Sequence, residues 1–132
     1  MTPKLESKIL RLAFAHLSCI DSRQRHFTFI TQRNKIICFG RNRIFHSHPL
    51  AAKFLHRFAD IHSELAAISA FPYSLRELRD YEIINLRVRR LDNSMGISIP
   101  CPHCVAMLIS FNVKSVTCIN RKGEWEKIWI NI

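Results

Sequence analysis

Two short motifs constrain this chain more than any other feature, because their side chains have to meet at one point of the fold. His62 and Glu64 form the first motif, and Cys101 and Cys104 belong to the second. One imidazole and two thiolates can bind a zinc ion and leave its fourth tetrahedral position open to water, as in catalytic zinc sites. Glu64 then remains free to carry a proton. The sequence therefore predicts one Zn²⁺ per chain, with His62, Cys101 and Cys104 as ligands.

Both motifs are predicted to begin helices. Cys101 and Cys104 are three residues apart and project from one face at the start of a helix, whose positive end favours the thiolate form. A structural zinc knuckle, or two buried thiols without metal, is the alternative interpretation of a C-x-x-C step. His103 is the nearest candidate for a fourth ligand, but between the two cysteines it should point away from the face that they share.

The order and spacing of the motifs resemble those of the cytidine deaminase superfamily, whose signature is H-x-E followed by P-C-x-x-C. The likeness rests on His62-Ser63-Glu64 and on Pro100-Cys101-Pro102-His103-Cys104. Phe39-Gly40-Arg41-Asn42 also looks like the family's strand end with a substrate-contacting asparagine, and the pattern extends from Phe27 to Trp129. Ser63 departs from the alanine that is commoner in the family, and it is small enough to be tolerated.

The resemblance implies a zinc-dependent hydrolytic deaminase that acts on the cytosine base of a (deoxy)cytidine nucleotide or nucleoside and releases ammonia, with Glu64 as its catalytic residue. The residues assigned to substrate binding are Arg41, Asn42, Arg43, Phe45, His46, Ser63 and Pro100. Arg41 and Arg43 have the fork that suits a 5′-phosphate. Phe45 and His46 could stack on a base. Each loop residue also has a structural interpretation, as a turn asparagine, a solvated arginine or a packed ring.

The charge of the chain favours anionic partners. Twenty Lys plus Arg against ten Asp plus Glu give a net charge of +10, and such an excess attracts polyanions over long range. Arg87, Arg89 and Arg90, with Arg76 and Arg79 before them, form the densest positive region. A single-stranded DNA or RNA cytosine deaminase is therefore the main alternative function, and a non-catalytic zinc-stabilised binding module is the third.

The predicted fold is a three-layer α/β/α domain with a mixed five-stranded sheet, in the element order of the cytidine deaminase fold. The last two strands are joined by a connection too short for a crossover and should be antiparallel. The predicted elements are a helix at Lys4–Leu17, strands at His26–Thr31 and Lys35–Phe39, a helix at Ile61–Phe71, a strand at Ile83–Val88, a helix at Pro102–Phe111, and strands at Ser115–Ile119 and Glu124–Ile130.

Composition adds the remaining expectations. The 132 residues suffice for one domain, 1–132, and for one sizeable core. Five cysteines do not fit an even disulfide framework, so Cys19, Cys38 and Cys118 are expected to be buried free thiols in a reducing, cytoplasmic environment. No apolar run is long enough for a membrane span. Trp125 and Trp129 should share one face of the last strand, as core residues or as anchors of a homo-oligomer interface.

Overall fold

The computed structural model describes residues 1–20, 24–43, 53 and 62–131. The helices and strands with bounds in these ranges are α1 (Pro3–Ala15), β1 (Gln24–Gln32), β2 (Lys35–Arg41), α2 (Ser63–Ala70), β3 (Glu82–Arg89), β4 (Met95–Gly96), α3 (Pro102–Ser110), β5 (Ser115–Ile119) and β6 (Trp125–Trp129). Short 3-10 turns lie at Leu17–Cys19 and Leu75–Asp80. Every predicted helix and strand is present, with its ends within two residues of the predicted ones.

The strands form one mixed sheet in the order β2-β1-β3-β5-β6, and β4 pairs with β3 beside this path. β3 and β5 are parallel, whereas the other pairs are antiparallel. The predicted mixed sheet and antiparallel final pair are therefore confirmed. The predicted number of five strands missed β4, because a two-residue strand that contains a glycine has no period-two pattern.

Helix α1 covers one face of the sheet mainly through apolar side chains. Leu5, Ile9 and Ala13 recur at helical spacing on α1 and are buried. The strand residues that join them in one buried cluster are Phe27, Phe29, Ile84, Leu86 and Val88. These alternate along β1 and β3, as expected for one face of a sheet.

Helices α2 and α3 cover the opposite face. Ile30 and Ile83 from the sheet are buried there in a cluster with Leu65 of α2 and with Met107 and Leu108 of α3. The sheet therefore lies between two helical layers, and the predicted α/β/α architecture is confirmed.

Both ends of strand β2 depend on particular backbone features, a tight turn at its start and a close approach to α2 near its end. The turn from β1 uses Arg33 and Asn34 with φ of 52° and 64°, which is typical of tight hairpins. Near the other end, a Cβ at Gly40 would collide with the backbone of Ala66 and Ala67 in α2. Only glycine therefore allows α2 to lie this close to the sheet.

The arginines that are clustered in the sequence are not clustered in space. Arg87 and Arg89 lie at the end of β3, whereas Arg76 and Arg79 lie in the 3-10 turn that precedes its start. The length of the strand separates the two groups by roughly 20 Å. An extended strand of eight residues lies between the two groups.

The two tryptophans share one face of β6, as predicted, because they pair with Ile119 and Ser115 of β5. Trp125 is partly buried, and its indole N–H donates to Glu6 Oε1 at 3.2 Å. Trp129 is 62% exposed and is not a core residue. Its role in a homo-oligomer interface stays a prediction.

Two of the three cysteines outside the motifs have described side chains. Cys118 is buried, Cys38 is partly buried, and both are free thiols. Burial raises the pKa of each to about 11, with a smaller contribution from Glu126 at Cys118. Both are therefore neutral near pH 7, whereas the side chain of Cys19 lies outside the described residues. Within the described part of the chain, no helix has the length and apolar character that a membrane crossing requires.

Candidate metal centre

The N-termini of α2 and α3 bring the two motifs together. His62 is the N-cap residue of α2, and Cys101 is the N-cap residue of α3. Cys101 Sγ accepts a hydrogen bond from the backbone N–H of Cys104 at 3.4 Å, the position at which a serine or aspartate oxygen usually accepts. Pro102 occupies the first turn of α3, where a missing N–H costs nothing. Cys104 therefore lies one turn into the helix, on the side of Cys101.

The three predicted ligands fit a single zinc ion. His62 Nδ1 lies 3.5 Å from Cys101 Sγ and 3.4 Å from Cys104 Sγ. A tetrahedral zinc with bonds of about 2.3 Å to sulfur and about 2.0 Å to nitrogen separates such atoms by about 3.5 Å. The ligand atoms of all three residues lie within 4.8 Å of one another, and among the described residues no fourth His, Cys, Asp or Glu joins them. His103 is exposed, as its predicted direction requires.

The metal-free thiols differ in protonation. A hydrogen bond from the Cys104 thiol, together with His62 and the Cys104 N–H, lowers the pKa of Cys101 to about 3 against the effect of burial. The same bond and burial raise the pKa of Cys104. One thiolate is therefore ready for a metal, and binding displaces the proton of the other, since zinc binds both sulfurs as thiolates.

Glu64 lies beside this ligand group in the first turn of α2 and is buried. Ser63 Oγ donates to its Oε1 at 3.2 Å, and Asn85 Nδ2 donates to its Oε2 at 3.1 Å. Its negative charge contributes to the raised pKa of Cys104, which reflects its closeness to the ligands. Both carboxylate oxygens are thus held, and the carboxylate is next to the metal position without belonging to the ligand group.

Behind Glu64 lies a buried polar network that consists of Thr28, Ser63, Asn85 and Ser98. Thr28 Oγ1 donates to Asn85 Oδ1 at 2.7 Å and lies 2.8 Å from Ser63 Oγ. Asn85 Nδ2 also donates to the Ser98 carbonyl at 3.3 Å, and Ser98 Oγ donates to the Asn85 carbonyl at 2.9 Å. Glu64 is therefore connected to two neighbouring strands, β1 and β3.

Sequence analysis missed Thr28, Asn85 and Ser98. One signal was available, since Asn85 interrupts an apolar strand and asparagine is depleted in strands. Ser63 was assigned to substrate binding, yet its hydroxyl points towards the sheet and Glu64.

His26 and Arg87 continue this polar face towards the sheet end. They occupy paired positions on β1 and β3. Burial, and then the charges of Arg87 and His62, lower the pKa of His26 to about 4, so its imidazole is neutral near pH 7. Arg87 Nε is buried and has no hydrogen-bond partner among the described residues.

The other predicted substrate residues have varied surroundings. Asn42 Oδ1 accepts from the His26 N–H at 2.8 Å, and its Nδ2 donates to the Gln24 carbonyl at 2.8 Å, so this amide fastens the end of β2 to the start of β1. Arg41 pairs with Phe27 and therefore leaves the sheet on the α1 face, opposite the ligand group. The structure does not bring Arg41 to the site.

Three of the remaining assignments lie in or near the connection before α2. Arg43 is exposed, and Phe45 and His46 lie outside the described residues. Pro100 is buried directly before Cys101. Pro100 is thus next to a predicted zinc ligand, as its position in the P-C-x-x-C motif implies.

Three solved structures of similar fold are structures of deaminases. The dCMP deaminase of cyanophage S-TIM5, in apo form, is 18% identical over 88% of this chain and 82% of its own, with a TM-score of 0.56. The same enzyme in complex with dCMP and dUMP is 19% identical over 88% and 81%, with a TM-score of 0.54. The cytidine deaminase of Burkholderia pseudomallei is 16% identical over 98% and 94%, with a TM-score of 0.60.

These likenesses concern the fold. No protein-family model matches the chain, and no curated protein matches it significantly. The chain has a cytidine deaminase-like fold, which confirms the predicted resemblance at that level.

Proposed function

We propose that the chain is a zinc-dependent hydrolytic deaminase that converts a cytosine base to uracil and releases ammonia. One observation carries this proposal: three ligand atoms at zinc spacing lie beside a buried glutamate that is not in the ligand group. Three ligands leave a coordination position for water, and a free carboxylate supplies the proton transfer that hydrolysis of a C–N bond needs. The deaminases of the same fold agree with this chemistry.

His62, Cys101 and Cys104 would hold the metal, and zinc, when bound, lowers the pKa of a water molecule towards neutrality. Glu64 would take a proton from the attacking water at one carboxylate oxygen and return it to the base, so that the amine leaves as ammonia. The net reaction consumes one water and needs no redox partner. Burial of Glu64 keeps bulk water from competing for its proton.

A cytidine nucleotide or nucleoside is the proposed substrate. The cyanophage enzyme of the same fold was solved with dCMP and dUMP. In this chain, Arg87 offers an unpaired Nε on the face of the ligand group. An arginine there suits an anionic substituent such as a 5′-phosphate, a role that the sequence had given to Arg41 and Arg43.

A polynucleotide substrate is the second candidate, and the net charge of +10 favours it. Its backbone would have to contact several cations at once, and binding would then weaken steeply with salt, whereas a monomer that contacts one or two cations would be less sensitive. Filter binding of a single-stranded oligonucleotide at increasing salt separates the two candidates. A steep decrease in affinity, with deamination of the oligonucleotide alone, would favour the polynucleotide.

The function is tested with zinc-loaded protein, its Glu64→Gln variant and an exposed control, Glu77→Gln. Each is incubated with cytidine, deoxycytidine, their monophosphates, adenine counterparts and a single-stranded oligonucleotide, and products are identified by mass spectrometry. We expect uracil-containing product from a cytosine monomer, and Glu64→Gln should lower the rate by about 10²- to 10⁴-fold at unchanged zinc content. Glu77→Gln should behave as the wild type.

Two results would contradict the proposal. Equal turnover by wild type and Glu64→Gln would remove Glu64 from the chemistry. Absence of product from every cytosine substrate, with zinc bound, would favour the non-catalytic binding module.

A further inference from the structure

Asn85 is the most unusual residue in the middle of the sheet. It lies on β3 between Ile84 and Leu86, both buried, and is itself only 4% exposed. An amide in such a place costs free energy unless its polar atoms have partners. Every polar atom of the Asn85 side chain has one, and one partner is the proposed catalytic carboxylate.

The surroundings fix the orientation of the Asn85 amide. Its Nδ2 faces two acceptors, Glu64 Oε2 and the Ser98 carbonyl. Its Oδ1 faces the Thr28 hydroxyl, which donates at 2.7 Å. A flipped amide would place its oxygen against a carboxylate and a carbonyl and would lose both of those bonds, keeping only a reversed bond in which Nδ2 donates to the Thr28 hydroxyl. Thr28 and Ser98 therefore keep a donor pointed at Glu64.

Ser63 holds the other carboxylate oxygen. Its hydroxyl is 3.2 Å from Glu64 Oε1 and 2.8 Å from Thr28 Oγ1. An alanine, the commoner residue in the family that the chain resembles, would lack this contact. The bond from Ser63 to Glu64 is thus a feature of this chain's own residues.

We propose that Asn85 is a positioning residue for Glu64, and that Thr28 and Ser63 complete the support. This inference rests on the proposed function. A glutamate side chain has three rotatable bonds, and a proton shuttle works only when its oxygen lies within hydrogen-bond reach of the groups that exchange the proton. A displacement of about 1 Å can cost about 10²-fold in rate. Two donors, Asn85 on β3 and Ser63 in the first turn of α2, remove that freedom.

The test compares buried substitutions that remove one hydrogen bond with a matched control. Thr28→Val removes the hydroxyl that orients Asn85 and keeps the side-chain volume. Thr31→Val makes the same change at another buried threonine of β1, outside the network. Asn85→Ala and Ser63→Ala remove the two donors to Glu64. For each zinc-loaded variant, kcat, KM, zinc content and melting temperature are measured, and the wild type and Asn85→Ala are crystallised.

We expect Asn85→Ala to lower kcat by about 10- to 100-fold, the range found when a supporting hydrogen bond is lost at a metal site. KM and zinc content should change by less than twofold, because Asn85 is buried and does not belong to the ligand group. Thr28→Val and Ser63→Ala should lower kcat by a smaller factor, and Thr31→Val should leave it unchanged. The Glu64 carboxylate should keep one orientation in wild-type crystals and lose it in Asn85→Ala.

Other outcomes overturn the proposal in recognisable ways. Wild-type kcat in Thr28→Val and Asn85→Ala would show that Glu64 needs no support. Parallel loss of zinc and of kcat would make Asn85 a structural residue. If the wild type deaminates no substrate, the proposed function fails, and the crystal structures become the test of positioning. A displaced Glu64 in Asn85→Ala would then support the positioning role, and an undisturbed Glu64 would refute it. If Asn85→Ala does not fold, Thr28→Val against Thr31→Val gives the kinetic comparison.

Discussion

The two faces of the β1–β3 pair differ in the polarity of the side chains that they present to the helices. Towards α1 the strands present Phe27, Phe29, Ile84, Leu86 and Val88, and the buried Arg25 ends this apolar series with bonds to the Val88 and Arg89 carbonyls. Towards α2 and α3 the alternate positions are His26, Thr28, Asn85 and Arg87, before Ile30 and Ile83 restore an apolar core. The first face serves stability, and the polar half of the second supports the proposed chemistry at some cost in stability.

Phe29→Ala should produce the largest effect. Phe29 is fully buried and stacks between Phe27 and Phe39, so truncation should lower the free energy of unfolding by about 3–5 kcal/mol. Zinc content and kcat per folded molecule should stay near wild type. Urea denaturation and steady-state kinetics measure both. Thr28→Val, the adjacent change on the other face, should show the reverse pattern, and a larger loss of kcat in Phe29→Ala would erase the distinction between the faces.

Gly40→Ala should be next in size. The new methyl group would meet α2 backbone, which can move only with the whole helix, so we expect a loss of about 3 kcal/mol in unfolding free energy. Zinc affinity should fall too, because His62 moves with α2. Gly96→Ala is the control, since the three atoms nearest to a methyl group there belong to the flexible side chains of Arg87 and Arg89. Similar losses in the two variants would show that the close approach at Gly40 is unimportant.

His26→Gln tests the polar face through pH. The pKa of His26 is lowered from 6.5 to about 4 in the folded chain. The unfolded chain therefore binds more protons between these values, and the stability of the wild type should fall as pH falls through this window, by up to about 3 kcal/mol. The stability of His26→Gln should fall by correspondingly less over the same pH range. Denaturation of the two zinc-free proteins at pH 7, 5.5 and 4 measures the difference, and identical pH dependence would contradict it.

The smallest expected effect separates two arginines on opposite faces. Arg87→Gln should raise KM for a cytidine monophosphate about tenfold, equivalent to about 1.4 kcal/mol, with little change for the nucleoside. Arg41→Gln should leave both KM values within about twofold, because Arg41 lies on the α1 face. Initial-rate kinetics with both substrates provides the comparison. An effect of Arg41→Gln alone would return the phosphate contact to the residue chosen from sequence.

Local sequence patterns made the helices and strands predictable. Contacts between residues far apart in the sequence could not be predicted in this way. Short apolar runs rich in β-branched residues located β1, β2 and β3, and the short Asn120-to-Gly123 connection indicated the antiparallel end of the sheet. The group of His62, Cys101 and Cys104 was predicted from residue chemistry, from spacing and from the resemblance to a family motif. The hydrogen bonds that hold Glu64 were not predicted. The contact between Asn85 and Glu64 joins a strand to a helix that precedes it in the chain, and no local sequence pattern indicates such a pair.

Arg41 shows the other limit. Phe39, Gly40 and Arg41 alternate in direction along β2, but alternation does not say which direction faces α2. The close approach of Gly40 to Ala66 and Ala67 decides it, and this is a property of packing. A glycine at a strand end was the signal available, since glycine often marks a close backbone approach.

The buried network of Thr28, Ser63 and Asn85 also has a consequence for evolution under different demands. Apolar residues of similar volume at these positions could pack as well and would remove the cost of burying polar groups. A population selected only for survival at high temperature should therefore drift towards a sheet that is apolar on both faces, more heat-resistant and slower in turnover. Selection for turnover should restore the polar residues. The residues at these three positions would therefore indicate whether selection had favoured stability or turnover.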